Sequence, residues 1–433
     1  MSPTVADSSS PTMRDLPWPR RFTLGSEPAD AERMRELLRD LGAEVWACVR
    51  ALAASTLDVP QLEFKLVAGE ALFTLVEVVT GIEDRIAELG GEPRRQLDHA
   101  SADRLAAALR VPSAQRTRVL AAEWLQRLVG ELRALPCDPL LDGPTERVRR
   151  RALRDIVEIL EWFDEAGLTV PPDGATATAA TRTQPVPAPK AQPVPAPKAR
   201  PAISDGRPAL PARPGTGARD DRFTTFEHTR DYRKAADWQS SGTAYEDDLV
   251  ELLRINRDEI DAIETFALAL YDLVDEAPLE VLRHLARLAW DEARHTAIGH
   301  ALLAARGEDP FRFQCSMIGI KVRGAMDGWG AWTQITLFGE LGIVGPMRRI
   351  ERAAKERGDV LTAAAFGYIC RDETMHLRSS RDLITRHHPA GSLAAAEAIT
   401  RQRAGALLAQ FGILSEEQYQ ALDNRQIFEL LGE

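Results

Sequence analysis

Apolar residues recur every three or four positions along most of this chain, which is the spacing of an amphipathic α-helix. In the first half, four such segments fall near residues 28–55, 60–89, 114–134 and 145–167. Proline and glycine interrupt the pattern between them, and four helices joined by short breaks predict a bundle. The one histidine of this half, His99, lies in a loop-like stretch. We therefore expect residues 25–170 to form a helical domain without metal ligands.

Two segments lack the helical pattern. Residues 1–24, which include many Ser, Pro and Asp residues, are predicted to be a disordered tail. Residues 171–220 are rich in Pro and Ala, and they repeat the octapeptide QPVPAPKA at 184–191 and 192–199. Dense proline favours an extended spacer without a packed core, so this segment is predicted to link two folded parts. The same composition also suits a docking ligand for a partner.

In the second half, residues 221–433, charged side chains stand on helical stripes that should be buried. One stripe runs Val281, Leu285, Leu288, Glu292, His295, Leu302, and another runs Phe366, Ile369, Glu373, His376, Leu383. Each Glu-x-x-His pair places both side chains on one helix face about one turn apart. An aspartate precedes each pair, which gives DEARH at 291–295 and DETMH at 372–376. The repeat of the longer motif indicates a shared chemical role.

Buried carboxylates of this kind need a cationic partner, because an unpaired buried charge is strongly unfavourable. Two further glutamates, Glu264 and Glu340, interrupt the apolar stripes of two other helical segments. In an antiparallel helical hairpin, residues equidistant from the turn lie side by side. The midpoint of Glu264 and Glu292 is Pro278, a residue type that begins helices. The first hairpin is therefore predicted to bring Glu264 level with Glu292.

The same argument predicts a second hairpin. The midpoint of Glu340 and Glu373 falls beside the turn at 357–359, which contains a glycine. The connection at 307–327 is long enough for a crossover that makes the second and third helices parallel. This is the ferritin-like arrangement, in which such carboxylates and histidines bind two metal ions. Four carboxylates carry four negative charges, which two divalent ions neutralise.

Residues 245–388 resemble the ferritin-like di-iron carboxylate superfamily. The resemblance implies that two iron ions, or manganese or a mixed pair, are bound by six residues: Glu264, Glu292, His295, Glu340, Glu373 and His376. It also implies that Glu292 and Glu373 bridge the metals, that Asp291 hydrogen-bonds His376 and that Asp372 hydrogen-bonds His295. AIETFALAL (262–270) and DETMH are most similar to an uncharacterised bacterial ferritin-like family, which is itself similar to tRNA isopentenyladenosine hydroxylase. The expected fold is all-α: a ferritin-like four-helix bundle with a long crossover, preceded by the helical domain and the Pro-rich linker.

The net charge and the composition limit which partners and which cellular location we expect. The net charge is −11, and residues 1–170, 171–220 and 221–433 carry −6, +4 and −9. Neither folded half is basic, so nucleic acid is disfavoured as a partner, including a tRNA substrate. No apolar run reaches the length of a membrane span, and the start of the chain lacks the apolar stretch of a secretory signal. The four cysteines have no CxxC spacing, which excludes a thiolate zinc site and favours a reducing cytoplasm.

The function expected from these features is a non-haem di-iron oxygenase or oxidase. It would use dioxygen to oxidise a small or carrier-tethered organic substrate, with electrons from an external donor, because the sequence contains no flavin or nicotinamide motif. Two alternatives stay open: a ferroxidase or peroxide-scavenging protein, and a non-catalytic helical scaffold.

Some residues near the expected metal site have two interpretations. The glycine-rich segment around Glu340 either opens space for substrate or dioxygen or allows close helix packing. Three residues are candidates for lining a pocket: Tyr271, Cys370 and Thr336. The alternative for Cys370 is a buried inert thiol, and for Tyr271 a core side chain with a satisfied hydroxyl.

Overall fold

The structure is a computed structural model that describes residues 29–169, 210–231, 244–339, 343–423, 426–427 and 430. Most of these residues are helical and almost none are in strands, so the prediction of an all-α protein is confirmed. Two short strands, β1 (Thr225–Phe226) and β2 (Cys315–Ser316), pair in parallel. The predicted tail 1–24 and residues 171–209 of the predicted linker lie outside the described residues. None of the described helices has both the length and the hydropathy that crossing a bilayer requires.

The first half contains α1 (Ala31–Asp58), α2 (Leu62–Glu88), α3 (His99–Arg110), α4 (Ser113–Val119), α5 (Gln126–Ala134) and α6 (Gly143–Glu165). A π-helical turn, Leu120–Leu125, joins α4 to α5. The four helical segments predicted here are confirmed, with ends shifted by a few residues. Helix α3 was missed: His99 is its first residue, and the Asp98 side chain caps it by accepting from the Ser101 N–H at 2.7 Å.

The second half contains α7 (Ala244–Asp258), α8 (Ile260–Leu273), α9 (Leu279–Ala305), α10 (Ile318–Gly324), α11 (Gly328–Gln334), α12 (Val344–Arg357), α13 (Val360–His387), α14 (Leu393–Gln410) and α15 (Glu416–Gln420). Helix α11 continues into a π-helical turn, Ile335–Gly339. Short 3₁₀ turns lie at Thr229–Asp231 and Pro310–Arg312. The predicted crossover at 307–327 therefore contains a strand and a helix of its own.

Two hairpins position the site, α8 with α9 and α12 with α13. Pro278 is the residue that precedes α9. Gly358 ends α12 in the left-handed region at φ 71°, where a residue with a Cβ would be strained. Asp359 then caps α13 by accepting from the Thr362 N–H at 3.1 Å. Gly358 and Asp359 form the second turn where the sequence predicts it, whereas Pro278 lies at the end of the first turn rather than at its centre.

Helix α2 packs along α9, so the two halves of the chain share one apolar core. The ring of Phe73 stacks on Trp290 with centroids 4.9 Å apart. A Cβ on Gly69 would lie 2.6 Å from the Ala289 carbonyl oxygen, which shows how closely the two backbones approach. Residues 25–170 expressed alone would expose this face of α2.

Residues 210–220, assigned to the linker from their composition, are packed against both halves. Arg213 is buried and pairs with Asp272 at 2.9 Å. The Ala218 N–H donates to the Leu57 carbonyl at 2.7 Å. A Cβ on Gly217 would collide with the carboxylate of Glu264. Proline content alone did not reveal these contacts because they are formed with distant helices.

Candidate metal centre

Three carboxylates and one imidazole converge inside the second half. Glu259 lies at the junction of α7 and α8, Glu292 and His295 lie on α9, and Glu373 lies on α13. One donor atom from each of the four falls within 4.8 Å of the other three. Glu292, His295 and Glu373 are buried. This grouping has the composition of a metal site.

His376 on α13 faces the same carboxylates from the other side. Its Nδ1 lies 3.1 Å from Glu292 Oε1 and 3.6 Å from Glu373 Oε2. His295 Nδ1 lies 3.3 Å from Glu292 Oε2 and 3.2 Å from Glu373 Oε1. Each carboxylate therefore presents one oxygen to each imidazole. The ring centroids of the two histidines are 5.9 Å apart.

An aspartate lies next to the Nε2 atom of each histidine, whose Nδ1 atom faces the glutamates. His376 Nε2 lies 3.3 Å from Asp291 Oδ2, and His295 Nε2 lies 3.4 Å from Asp372 Oδ2. These are the two pairs that the family resemblance implied. A carboxylate at Nε2 favours the tautomer with the proton on Nε2, which directs the lone pair of Nδ1 to the interior.

Two arginines form ion pairs with these aspartates. Arg294 contacts both of them, Asp291 through Nη1 and Asp372 through Nη2 at 3.0 Å. Arg287 Nε donates to Asp291 at 2.8 Å. Burial alone would raise the pKa of Asp291, but the hydrogen bonds with His376 and Arg287 outweigh it and lower the pKa to about 2. Asp291 is therefore a fixed anion at neutral pH.

Protons replace cations in the cluster when no metal is bound. Burial raises the pKa of Glu259 to about 8. Burial disfavours the charged imidazoles, but Glu292 beside His295 and Glu373 beside His376 raise both histidine pKa values well above the usual range. Burial also opposes the charge of Glu373, yet His376 and His295 lower its pKa to about 2. The net effect is a site that balances its charge by holding protons.

The residues fit bound metal. Three buried oxygens, Glu259 Oε2, Glu292 Oε1 and Glu373 Oε2, each have a histidine Nδ1 at 3.1–3.6 Å but no hydrogen bond of normal geometry. Buried carboxylate oxygens without donors are unfavourable unless a cation approaches them. Carboxylate and imidazole donors suit iron, manganese or zinc rather than thiol-preferring ions.

Glu264, predicted to be a ligand, is not part of this cluster. Its Oε1 accepts from Lys65 Nζ at 2.6 Å and from Arg219 Nη1 at 2.5 Å, and all three side chains are buried. Two cations on one oxygen leave no electrostatic reason for a metal ion there. Glu259 instead supplies the carboxylate that this part of the chain was expected to provide.

The difference between the predicted pairing of Glu264 with Glu292 and the observed cluster has a simple geometric origin. The connection between Leu273 and Leu279 is centred near residue 276, not at Pro278. Moving the centre of a hairpin by two residues moves the facing partner by four, which is about one helical turn. The residue level with Glu292 is then close to Glu259 rather than Glu264.

The other predicted site residues have different outcomes. Glu340 lies outside the described residues. The Tyr271 hydroxyl donates to the Pro211 carbonyl at 2.6 Å, which satisfies it as a core side chain would be satisfied, and Tyr271 also lines a cavity of about 640 Å³ whose walls include none of the cluster residues. Cys370 lies in an apolar cluster, and burial raises the pKa of its thiol to about 11, which agrees with an inert thiol. Thr336 is buried in the π-helical turn, and its Oγ1 makes no hydrogen bond.

Comparisons with protein-family models, with curated proteins and with solved structures find no match for this chain. Its function has to be argued from the site itself.

The protons in the metal-free cluster predict how stability depends on pH. The pKa of Glu259 is about 8 in the folded protein against 4.5 ordinarily, so the folded state holds a proton that the unfolded chain releases. Both histidines act in the same direction above pH 6.5. We therefore expect the melting temperature of metal-free protein to fall as pH rises from about 5 to 8. Thermal unfolding across this range measures it.

Glu259→Gln provides the control, because it removes the group responsible for the lower part of that window. The decline between about pH 5 and 6.5 should then flatten. A wild-type melting temperature that rises steadily from pH 5 to 8 would contradict the proposed protonation of the cluster.

Proposed function

We propose that the second half is a ferritin-like four-helix bundle that binds two metal ions, either two iron ions or manganese or a mixed pair. Its four members would be α7 with α8, then α9, then α11 with α12, and finally α13. We further propose that the protein is an oxygenase or oxidase. It would use dioxygen on a small or carrier-tethered organic substrate, with electrons from an external donor.

The observation that carries this proposal is the way Glu292 and Glu373 divide their oxygens between two histidines. In both carboxylates one oxygen faces His295 Nδ1 and the other faces His376 Nδ1, at 3.1–3.6 Å. A single ion held by the four converging donors of Glu259, Glu292, His295 and Glu373 would leave His376 and the second oxygen of each shared carboxylate without a role. Carboxylates that serve two imidazoles are instead the arrangement that holds two ions side by side.

The charges of the side chains at the site also support two metal ions. The three carboxylates of Glu259, Glu292 and Glu373 carry three negative charges once the site has lost its protons, and the two histidines are then neutral. Two divalent ions carry four positive charges. The predicted ligand Glu340 would supply the remaining negative charge.

The chain's own residues prepare the site for redox chemistry. Asp291 and Asp372 orient the imidazoles, and Arg294 fixes the aspartates relative to each other. Burial of the ligands excludes bulk water and strengthens electrostatic interactions among them. When bound, a pair of reduced iron ions supplies electrons to dioxygen. The two-metal pattern and its aspartates support an oxidase or oxygenase over a scaffold, which has no need of three carboxylates and two histidines gathered in its interior.

Iron oxidation per chain tests the reaction class. Protein loaded with ferrous iron under anaerobic conditions is exposed to oxygen, and ferric iron is counted as ferrous iron is added. An oxygenase or oxidase should stop near about two irons per chain, with the iron retained. Oxidation of tens of irons into a retained mineral would instead establish the ferroxidase alternative, and no oxidation above that of free iron would support the scaffold.

A further inference from the structure

Large apolar side chains are exposed together on the outside of the α12–α13 hairpin. Val360, Leu361 and Tyr368 are 77%, 62% and 66% exposed. They account for three of the six large hydrophobic side chains that are exposed in the described part of the chain. Such clusters on a protein surface commonly mark binding sites.

A cleft of about 660 Å³ lies beside these side chains, between α12 and α13. Tyr368, Val360, Lys355 and Arg371 contribute to its walls. Its floor includes Gly367, where an added Cβ would come within 3.3 Å of both Glu351 and Arg371. The surface therefore has a concave apolar centre with charged groups at its edge.

Two basic residues, Lys355 and Arg371, line the cleft, and the two helices expose further ones. The exposed basic residues considered for this face are six: Arg348, Arg349, Arg352, Lys355, Arg371 and Arg378; Arg357, Arg381 and Arg386 are exposed on the same helices as well. The acidic residues of α12 are Glu351, which pairs with Lys355, and Glu356, and those of α13 are Asp372, Glu373 and Asp382. A local excess of positive charge is notable in a chain with a net charge of −11. We call the six basic residues with Val360, Leu361 and Tyr368 the α12–α13 face.

The positive charge of this face indicates which kind of partner binds to it. A symmetric dimer that used this face on both copies would bring two positive faces together, which is unfavourable. The Pro-rich segment 171–220 carries +4 and is repelled in the same way. Nucleic acid does not need an apolar centre, and the negative charge of the whole chain opposes it. An acidic protein with an apolar contact patch complements both features.

The position of the face relative to the metal centre suggests the partner's role. Helix α13 presents Tyr368 and Arg371 outward, while Glu373 and His376 are buried on its inner side. The thickness of one helix, about 10 Å, therefore separates a protein docked here from the cluster.

We propose that the α12–α13 face is the docking surface for an acidic electron-donor protein. The donor role rests on the proposed function, whereas docking of an acidic protein does not. In each transfer the donor would lose one electron and one ferric ion of the site would become ferrous.

Binding of an acidic plant-type [2Fe–2S] ferredoxin tests the surface directly, by titration calorimetry with full-length protein, both metal-free and iron-loaded. The double variant Arg348→Glu/Arg371→Glu should bind about tenfold more weakly or worse, and added salt should weaken wild-type binding. Tyr368→Ser should also weaken binding while leaving its salt dependence unchanged. The control is Arg118→Glu/Arg147→Glu, which makes the same charge change at exposed positions of the first half and should bind like wild type.

Three results would overturn the proposal. One is the absence of ferredoxin binding by wild type, and another is an equal loss of binding in the control. The third is a different occupant: duplex DNA that binds this face at least as tightly, or self-association that Tyr368→Ser abolishes.

The rates at which the ferric protein is reduced distinguish a failure of the docking proposal from a failure of the di-iron proposal. With ferric protein, the Arg348→Glu/Arg371→Glu variant should be reduced slowly by ferredoxin but at the wild-type rate by dithionite, a small reductant that needs no docking surface. If the variant loses ferredoxin binding but no metal redox change occurs with either reductant, the docking surface stands and the di-iron proposal fails. If both reductants act equally on variant and wild type, the docking proposal fails while the metal centre stands.

Discussion

Replacing Glu292 by alanine is expected to weaken metal binding by more than about 100-fold, because this carboxylate contacts both histidines. One of its oxygens lies 3.3 Å from His295 Nδ1 and the other 3.1 Å from His376 Nδ1. Loss of a mere outer hydrogen-bond partner of a ligand costs about 10–100-fold, so loss of a shared ligand should exceed that range. Anaerobic titration with ferrous iron measures the affinity.

Two matched variants serve as controls for the Glu292→Ala measurement. Asp372→Asn keeps every donor atom and changes the partner of His295 Nε2, so it should fall within the 10–100-fold range. Glu264→Gln should retain the wild-type metal stoichiometry, because the Glu264 carboxylate is bound by Lys65 and Arg219. Equal metal loss in the Glu264 and Glu292 variants would restore the ligand set predicted from the sequence.

Glu264→Gln is expected to have its large effect on stability instead. Glutamine removes the negative charge that Lys65 and Arg219 share, and both cations remain buried. Breaking a buried pair in this way costs about 3–5 kcal/mol in the free energy of unfolding. Urea denaturation of the metal-free protein measures this free energy without interference from metal binding.

An exposed ion pair serves as the comparison. Glu280 pairs with Arg386 at 2.6 Å where both side chains are nearly half exposed, so Glu280→Gln should cost less than about 1 kcal/mol. Adding Lys65→Met to Glu264→Gln should recover part of the lost stability, because it removes one uncompensated charge. If Glu264→Gln is no more destabilising than Glu280→Gln, the ion cluster does not tie the two halves together.

The sequence was sufficient for features that local pattern determines. Periodicity located the long helices, and Gly358 marked the end of α12 through its left-handed conformation. The repeated Asp-Glu-x-x-His motif placed Glu292 with His295 and Glu373 with His376, because spacing along one helix determines which side chains share a face.

What escaped prediction depended on contacts between distant parts of the chain. Lys65 and Arg219 are 199 and 45 residues from Glu264, so nothing near Glu264 indicated its ion pairs. Glu259 lies at a helix junction that no proline or glycine marks, which breaks the regular spacing on which stripe arithmetic relies. The centre of the α8–α9 turn lies two residues before the predicted one. This small difference moves the residue that faces Glu292 by four positions, which is about one helical turn.

The number of ferrous ions bound per chain tests the central claim most directly. Equilibrium dialysis of the metal-free protein against ferrous iron, under anaerobic conditions and at neutral pH, gives this number without any assumption about the reaction. Two histidines that share two carboxylates predict about two ions per chain, and Glu292→Ala should lose both. A wild-type stoichiometry of about one or less, or a stoichiometry that Glu292→Ala leaves unchanged, would contradict the two-metal centre.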